Sequence, residues 1–263
     1  MIGSILLVIF VASISLAGYY LRLLTKSGSI AAFFVGVSVS LGFGLQGLLL
    51  LGFFFASSSF WSKFKSKKKE SIEDRHEKGS TRDWQQVVAN GGLAALFSLL
   101  YAIHPSDVFL LGFLISLASA NADTWASELG SLSKKPPLFI RTLKPIETGT
   151  SGAVSLLGTA AALAGSFTLV LLACLLMSLS LSIGFIVFIF GFLGNIVDSF
   201  LGAYSQVIYR CLECGKDVEG WEHCGQRTSR IRGISFMNND AVNFLSALIA
   251  VIIGVTYYQF LLL

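Results

Sequence analysis

Four carboxylic acids of this chain sit where lipid should be. Asp123, Glu128, Asp198 and Asp240 lie within or at the ends of strongly apolar stretches, whereas ten of the fifteen Asp and Glu residues stand inside or beside basic loops. An uncompensated carboxylate at the bilayer centre costs about 2.5–3.5 kcal/mol or more, so it ordinarily faces a polar cavity, a cation or a substrate. Asp107, beside Pro105, has a cheaper reading as a helix N-terminal residue. If the run from Asn121 to Gly130 is helical, it stacks Asp123 with Ser127 and Thr124 with Glu128. Two carboxylates and two hydroxyls at a membrane surface form a hard oxygen site suited to Mg²⁺. The plainer alternative is a capped helix end with a paired acid.

A second element follows Lys144. Thr148, Gly149, Thr150, Ser151 and Gly152 lead directly into an apolar span starting near Ala153. The glycines free the backbone to approach a ligand, the hydroxyls can bond to it, and the helix that follows points its positive end there. Lys144 adds a point charge. Phosphate sites are built this way, although the spacing is not that of a P-loop; ordinary N-capping is the alternative. A third element, Asn195, Asp198, Ser199 and Gly202, recurs at helical spacing on one face of a greasy segment. Close helix packing explains Gly191, Gly194 and Gly202 but not Asp198. At the opening of the last span, Asn239 and Asn243 share a face and Asp240 can cap the helix; the surplus amides suggest headgroup or base contacts.

Cys211, Cys214, His223 and Cys224 occupy one loop. A C-x-x-C pair with a glycine turn, then a third cysteine beside a histidine, suits a small structural zinc knuckle. Unliganded thiols and a disulfide remain alternatives, and the role expected is scaffolding. Cys174, in an apolar span, reads as a core residue.

The elements that carry these residues must be membrane helices. Hydrophobic residues make up 54% and charged residues 13%, with mean hydropathy +0.74, far from a soluble domain. All nineteen Lys and Arg fall in Arg22–Lys26, Lys63–Arg82, Lys134–Lys144 and Arg210–Arg232. Apolar spans are expected at Ile2 to about Leu24, 30–60, 85–103, 106–122, 152–177, 182–208 and 240–262. The first ends in Tyr19, Tyr20 and Arg22 without a basic leader, so it reads as a span or signal anchor rather than a cleaved signal. The stretch from Ile30 to Phe60 is too long for one crossing, and Gly42, Gly44, Gln46 and Gly47 favour two short helices, 29–43 and 46–60, in a tight hairpin. With every basic stretch cytoplasmic, the chain is an all-α polytopic bundle of about eight spans with both termini on the far side; one tilted helix over 29–60 would make seven. Residues 1–263 then form a single integral membrane domain, with a basic cytoplasmic loop at 61–83 and a cysteine-containing one at 209–236. The net charge of +4 is accounted for by topology, and no basic-aromatic platform or recognition helix suggests nucleic acid.

These motifs, in this order, resemble domain-of-unknown-function family 92, which transmembrane protein 19 typifies. The resemblance rests on Ala122 to Gly130, on Thr148 to Gly152 with Gly158, on Asp198, Ser199, Gly202 and Ala203, and on Asn239 to Asn243. It covers the chain from Gly28 to about Leu248. The family includes plant phytyl-phosphate kinases, which convert an isoprenoid monophosphate to the diphosphate. It is also distantly similar to dolichol kinase, phytol kinase and phosphatidate cytidylyltransferase, which use CTP and place an Asp before a Lys-Thr-x-x-Gly phosphate motif. Here extra residues separate Lys144 from Thr148.

The resemblance implies a Mg²⁺-dependent, CTP-type kinase acting on a phytyl or polyprenyl monophosphate at the cytoplasmic membrane face; an endomembrane of endoplasmic-reticulum type is the location expected. Asp123 and Asp198 would hold Mg²⁺, Glu128 would assist, and Thr148–Gly152, Lys144, Asn239 and Asn243 would contact the nucleotide or phosphate. The lipid tail would lie between helices 153–177 and 182–208. Two other classes stay open: a transporter or channel with Asp198 on its pathway, and a non-catalytic membrane regulator. A cluster of polar motifs at one membrane face favours the enzyme, and polar residues at mid-bilayer favour transport.

Overall fold

The structure, a computed structural model, describes residues 2–65 and 81–261; most of the expected basic loop, 66–80, lies outside them. Among the described residues there are seven helices: α1 (Ile2–Tyr20), α2 (Lys26–Lys63), α3 (Trp84–Ile103), α4 (Asp107–Gly130), α5 (Leu156–Met177), α6 (Leu181–Tyr204) and α7 (Asn239–Leu261). Helices α2 to α7 are each long and apolar enough to cross a membrane. The chain is a helical membrane protein, as its composition predicts.

Helix α2 is broken where expected. Gly44 adopts φ 56° and ψ −140°, a conformation open to glycine and strained for other residues. The break is a fold-back, because one residue holds both ends of α2. The Arg82 carbonyl accepts from the Thr25 N–H (2.9 Å) and its guanidinium donates to Ser59 Oγ (2.9 Å). In a straight helix, Thr25 and Ser59 would lie about 50 Å apart. The expected count of about eight spans would require α1 and each of these two arms to cross along with α3 to α7.

Helix α4 is the axis of the bundle and packs against α2, α3, α5, α6 and α7. Every residue from Leu111 to Ala122 is buried, so this segment contacts protein all round. It runs to Gly130, eight residues beyond the expected end, carrying Asp123 and Glu128 on helix as assumed. Side chains lock it in place: Trp125 Nε1 donates to Ser57 Oγ (3.2 Å), Ser57 Oγ to Asn121 Oδ1 (3.1 Å), and Asn121 Nδ2 to the Gly165 carbonyl (2.7 Å). Helix α6 approaches α4 closely, since a Cβ on Gly194 would fall 1.9 Å from Ser119 Oγ. Asp107 does open α4, and it also accepts from Tyr258 Oη (2.6 Å) on α7.

Small antiparallel sheets, which the helical periodicity did not announce, shape the connections. One has the order β2–β1–β3, with β1 (Leu138–Phe139), β2 (Lys144–Pro145) and β3 (Ala153–Val154). In the cysteine loop, β4 (Ile208–Arg210) pairs with β5 (Asp217–Val218) and β8 (Ser229–Arg232), and β6 (Glu222–His223) pairs with β7 (Gln226–Arg227). The described parts of the four basic stretches gather at one end of the bundle. Arg22 and Thr25 bond to Thr81 and Arg82, Phe139 pairs with both Lys144 and Ala153, and Arg232 reaches Ser151.

Candidate functional site

A polar cavity of about 340 Å³ opens at that same end. It is lined by the C-terminal turns of α4 and α6, the N-terminal turns of α3, α5 and α7, and the 148–155 connection. Asp123, Glu128, Asp198, Thr148, Gly149, Thr150, Ser151, Gly152, Asn239 and Asn243 all face it, so sites read from four separate stretches form one place.

The two aspartates are held by amides and a hydroxyl. Asn195 Nδ2 donates to Asp123 Oδ1 (3.0 Å), and Ser246 Oγ donates to Asp198 Oδ2 (3.2 Å). The Asn243 amide, oriented with its nitrogen toward Asp198, donates to the same Oδ2 (3.1 Å). Asn195 lies one turn before Asp198 on α6, so the hydrogen bond to Asp123 brings the two acidic motifs to one wall of the cavity. Asn243, expected to touch a headgroup or base, serves instead to orient Asp198. Each aspartate keeps a second oxygen without a protein donor among the described residues. Two hard oxygens so placed suit Mg²⁺, which is commonly held by one or two carboxylates together with substrate phosphates and water. The hydroxyls of Thr124 and Ser127 do not join the acids; they donate to helix carbonyls, Thr124 to Ala120 (2.8 Å) and Ser127 to Asp123 (3.1 Å).

Several expectations need correction. Lys144 is exposed on β2 and does not line the cavity, because β1 and β2 carry it away from the turn that follows. Among the described residues the cavity's cation is Arg82, from the stretch expected to be a solvated topology signal. It sits near Glu128 and over the Phe55 ring (5.6 Å), and Ser62 also donates to Glu128. Burial pulls the Arg82 pKa down and the Glu128 carboxylate opposes that. Glu128 is thereby engaged by the hairpin and Arg82 rather than by Asp123.

The 148–152 turn does not run directly into a helix. β3 intervenes, α5 starts at Leu156, and Ser155 caps it by accepting from the Gly158 N–H (3.0 Å). Gly149 and Gly152 have φ of 85° and 82°. At Gly152 the close approach is to protein, since a Cβ there would fall 2.5 Å from that of Ala203. Arg232 ties this contact down, donating to the carbonyls of Ser151 and Ala203 (both 3.2 Å). Likewise α7 is capped by Asn238, whose Oδ1 accepts from the Ala241 N–H (3.0 Å); Asp240 faces the cavity.

Glu219 is the other residue that sequence reasoning missed. It comes from the cysteine loop, and its Oε1 accepts from Gln206 Nε2 (2.8 Å) and Ser151 Oγ (3.0 Å). Cys211, Cys214, His223 and Cys224 stand apart from the cavity, and their ligand atoms all lie within 4.8 Å of one another. No disulfide joins these cysteines to one another or to Cys174. The backbone N–H of Cys214, then the His223 ring, hold the Cys211 thiol down to about 6.

A second, apolar groove of about 120 Å³ lies between α1, the two arms of α2 and α3. Arg82, Gln86 and Asn90 line both spaces, so the groove runs up to the polar cavity at its guanidinium. The seam between α5 and α6, expected to hold a lipid tail, is closed by Ser166 Oγ donating to the Phe188 carbonyl (2.9 Å) and by Gly184 against Cys174.

The model of the integral membrane protein family DUF92 matches residues 9–251. Protein PGR of Arabidopsis thaliana is 31% identical over 268 residues, covering 92% of this chain and 91% of that protein. An uncharacterized membrane protein of Methanocaldococcus jannaschii is 30% identical over 237 residues, covering 90% and 87%. Protein VTE6, chloroplastic, of Arabidopsis thaliana is 28% identical over 244 residues, covering 91% and 66%. No solved structure matches. The expected endoplasmic-reticulum-type placement gains no support from these relatives, one of which is named as chloroplastic. With the family model spanning nearly the whole chain and the motif residues gathered in one cavity, the chain belongs to the DUF92 family of integral membrane proteins.

Proposed function

We propose that this protein is a Mg²⁺-dependent phosphotransferase that converts an isoprenoid monophosphate to its diphosphate, with CTP or another nucleoside triphosphate as donor. The observation that carries the reading is the junction of two unlike spaces at Arg82: a polar cavity suited to phosphates and an apolar groove suited to a hydrocarbon tail. The headgroup would enter the cavity beside Arg82, and the tail would lie between α1, the hairpin and α3.

Charge supports a metal. Asp123 and Asp198 present two carboxylates to the cavity, so anionic phosphates entering there need added positive charge. Asp123 and Asp198 would hold Mg²⁺, which would supply charge neutralisation for the transferring phosphates. A phosphate oxygen of the lipid would attack the donor's terminal phosphorus, the bond to the bridging oxygen would break, and the nucleoside diphosphate would leave. Such chemistry asks mainly for positioning and electrostatics. Arg82 and the hydroxyl-bearing turn would position the two phosphate groups, while Asn195, Asn243 and Ser246 fix the aspartates.

Membership of a family that includes phytyl-phosphate kinases supports the reading, and so does the confinement of the clustered polar motifs to one end of the bundle. The test is an assay of the purified full chain against phytyl, farnesyl and geranylgeranyl monophosphates with each nucleoside triphosphate and Mg²⁺. Diphosphate product from at least one pairing is expected; no product from any of them contradicts the proposal.

A further inference from the structure

Outside the cavity, the cysteine loop brings four soft ligands together. Two β-hairpins present them at their turns. In the first, Cys211 and Cys214 follow β4, the Gly215 N–H donates to the Cys211 carbonyl (3.0 Å), and Gly215 takes φ 72°. In the second, Cys224 and Gly225 form the two-residue turn between β6 and β7, with φ 52° and 72°. A left-handed φ disfavours a residue that has a Cβ, and Asn or Gly usually occupies this place. The cysteine here aims its sulfur back at the first turn, where His223 Nδ1 lies 3.4 Å from Cys214 Sγ and 3.2 Å from Cys224 Sγ.

We propose that Cys211, Cys214, His223 and Cys224 bind one structural zinc ion that fixes the loop carrying Glu219 against the polar cavity. With Zn–S near 2.3 Å and Zn–N near 2.0 Å, a tetrahedral site has ligand edges of about 3.5–3.8 Å. All four ligand atoms already lie within 4.8 Å of one another, so small side-chain adjustments complete the tetrahedron. No fifth position is needed, and the site does not line the cavity, so the role is structural.

The cavity depends on the loop through Glu219, which lies between the two hairpins. Its carboxylate holds Gln206 at the end of α6 and Ser151 in the phosphate-type turn. Strands β4, β5 and β8 form a sheet of two to four residues per strand, too little to hold such a loop by hydrogen bonds alone. A zinc staple supplies that rigidity. The inference stands whether or not the protein is a phosphotransferase.

The test uses the full chain purified in detergent without chelator. Metal analysis should give about one zinc per chain, reduced to under about a tenth in Cys214→Ser and unchanged in Cys174→Ser. Because Cys214→Ser could misfold, the wild type is also stripped with a chelator. Maleimide labelling should then gain the three loop thiols, and hydrogen exchange should rise over 208–232 while α4 stays protected; added zinc should reverse both. Absence of zinc in the purified protein, iron in its place, or a disulfide among these cysteines overturns the metal assignment. Exchange over 208–232 that is indifferent to stripping overturns the stapling role.

Discussion

Asn195 Nδ2 lies 3.0 Å from Asp123 Oδ1, joining residues 72 positions apart in sequence on two separate helices. This bond orients one acid and brings the Asp198 motif beside it. Replacing Asn195 by Ala removes the donor but leaves the carboxylate, so Asp123 loses its fixed rotamer rather than its charge. Turnover should fall about tenfold while the protein stays folded, the scale of one lost hydrogen bond to a charged group. Asn195→Asp should cost more, since it sets a third carboxylate against the pair. Steady-state kinetics of the two variants, compared with their melting curves, separates orientation from stability.

Arg82 and Lys144 make a contrasting pair. Arg82→Met should raise the lipid-phosphate KM by about tenfold or more, because the cavity loses its cation and Glu128 loses a compensating charge. Lys144→Met should leave KM within about twofold, as expected for an exposed charge away from the site. Equal effects of the two changes would place the phosphate elsewhere.

Gly52 lines the apolar groove, and nothing lies within 4 Å of where its Cβ would be. Gly52→Leu should therefore fill the groove without disturbing the helix. The expected result is a raised KM for long isoprenoids, less effect on short ones, and unchanged nucleotide affinity. A general loss of affinity for both substrates would separate the groove from the lipid tail.

The hairpin offers a stability test. Gly44→Ala should destabilise the protein by about 1–3 kcal/mol, because φ 56° with ψ −140° strains any residue with a Cβ. No atom lies within 4 Å of the added methyl, so the cost is conformational rather than steric. Gly52→Ala, in helical backbone, should be neutral or stabilising. Thermal unfolding of both variants in the same detergent reads the difference.

The acids were legible in the sequence because a carboxylate in apolar surroundings is conspicuous whatever the fold. The hairpin was legible too, since an uncharged stretch from Ile30 to Phe60 exceeds one membrane crossing and clusters glycines at its middle. Arg82 was hidden for the opposite reason. It ends a run of eight Lys and Arg whose other members explain themselves as a topology signal, and only the fold-back of α2 buries that one. Lys144 misled because nearness along the chain to Thr148 became separation in space once β1 and β2 formed. Glu219 sat in a loop whose two-residue strands carry no periodicity to read, so its reach to Ser151 could come only from coordinates.

On the proposed reading, Asp123 and Asp198 share a cation site that serves phosphoryl transfer. Its most direct measurement is the rate of diphosphate formation by wild type, Asp123→Asn and Asp198→Asn across a Mg²⁺ titration, with each near-isosteric variant shown to be folded and membrane-inserted. Mg²⁺-dependent turnover is expected in the wild type and a loss of about a hundredfold or more in either variant, with nucleotide binding in the absence of metal retained. Full activity in Asp123→Asn, or a wild type that forms no diphosphate while driving solute flux, would contradict that reading.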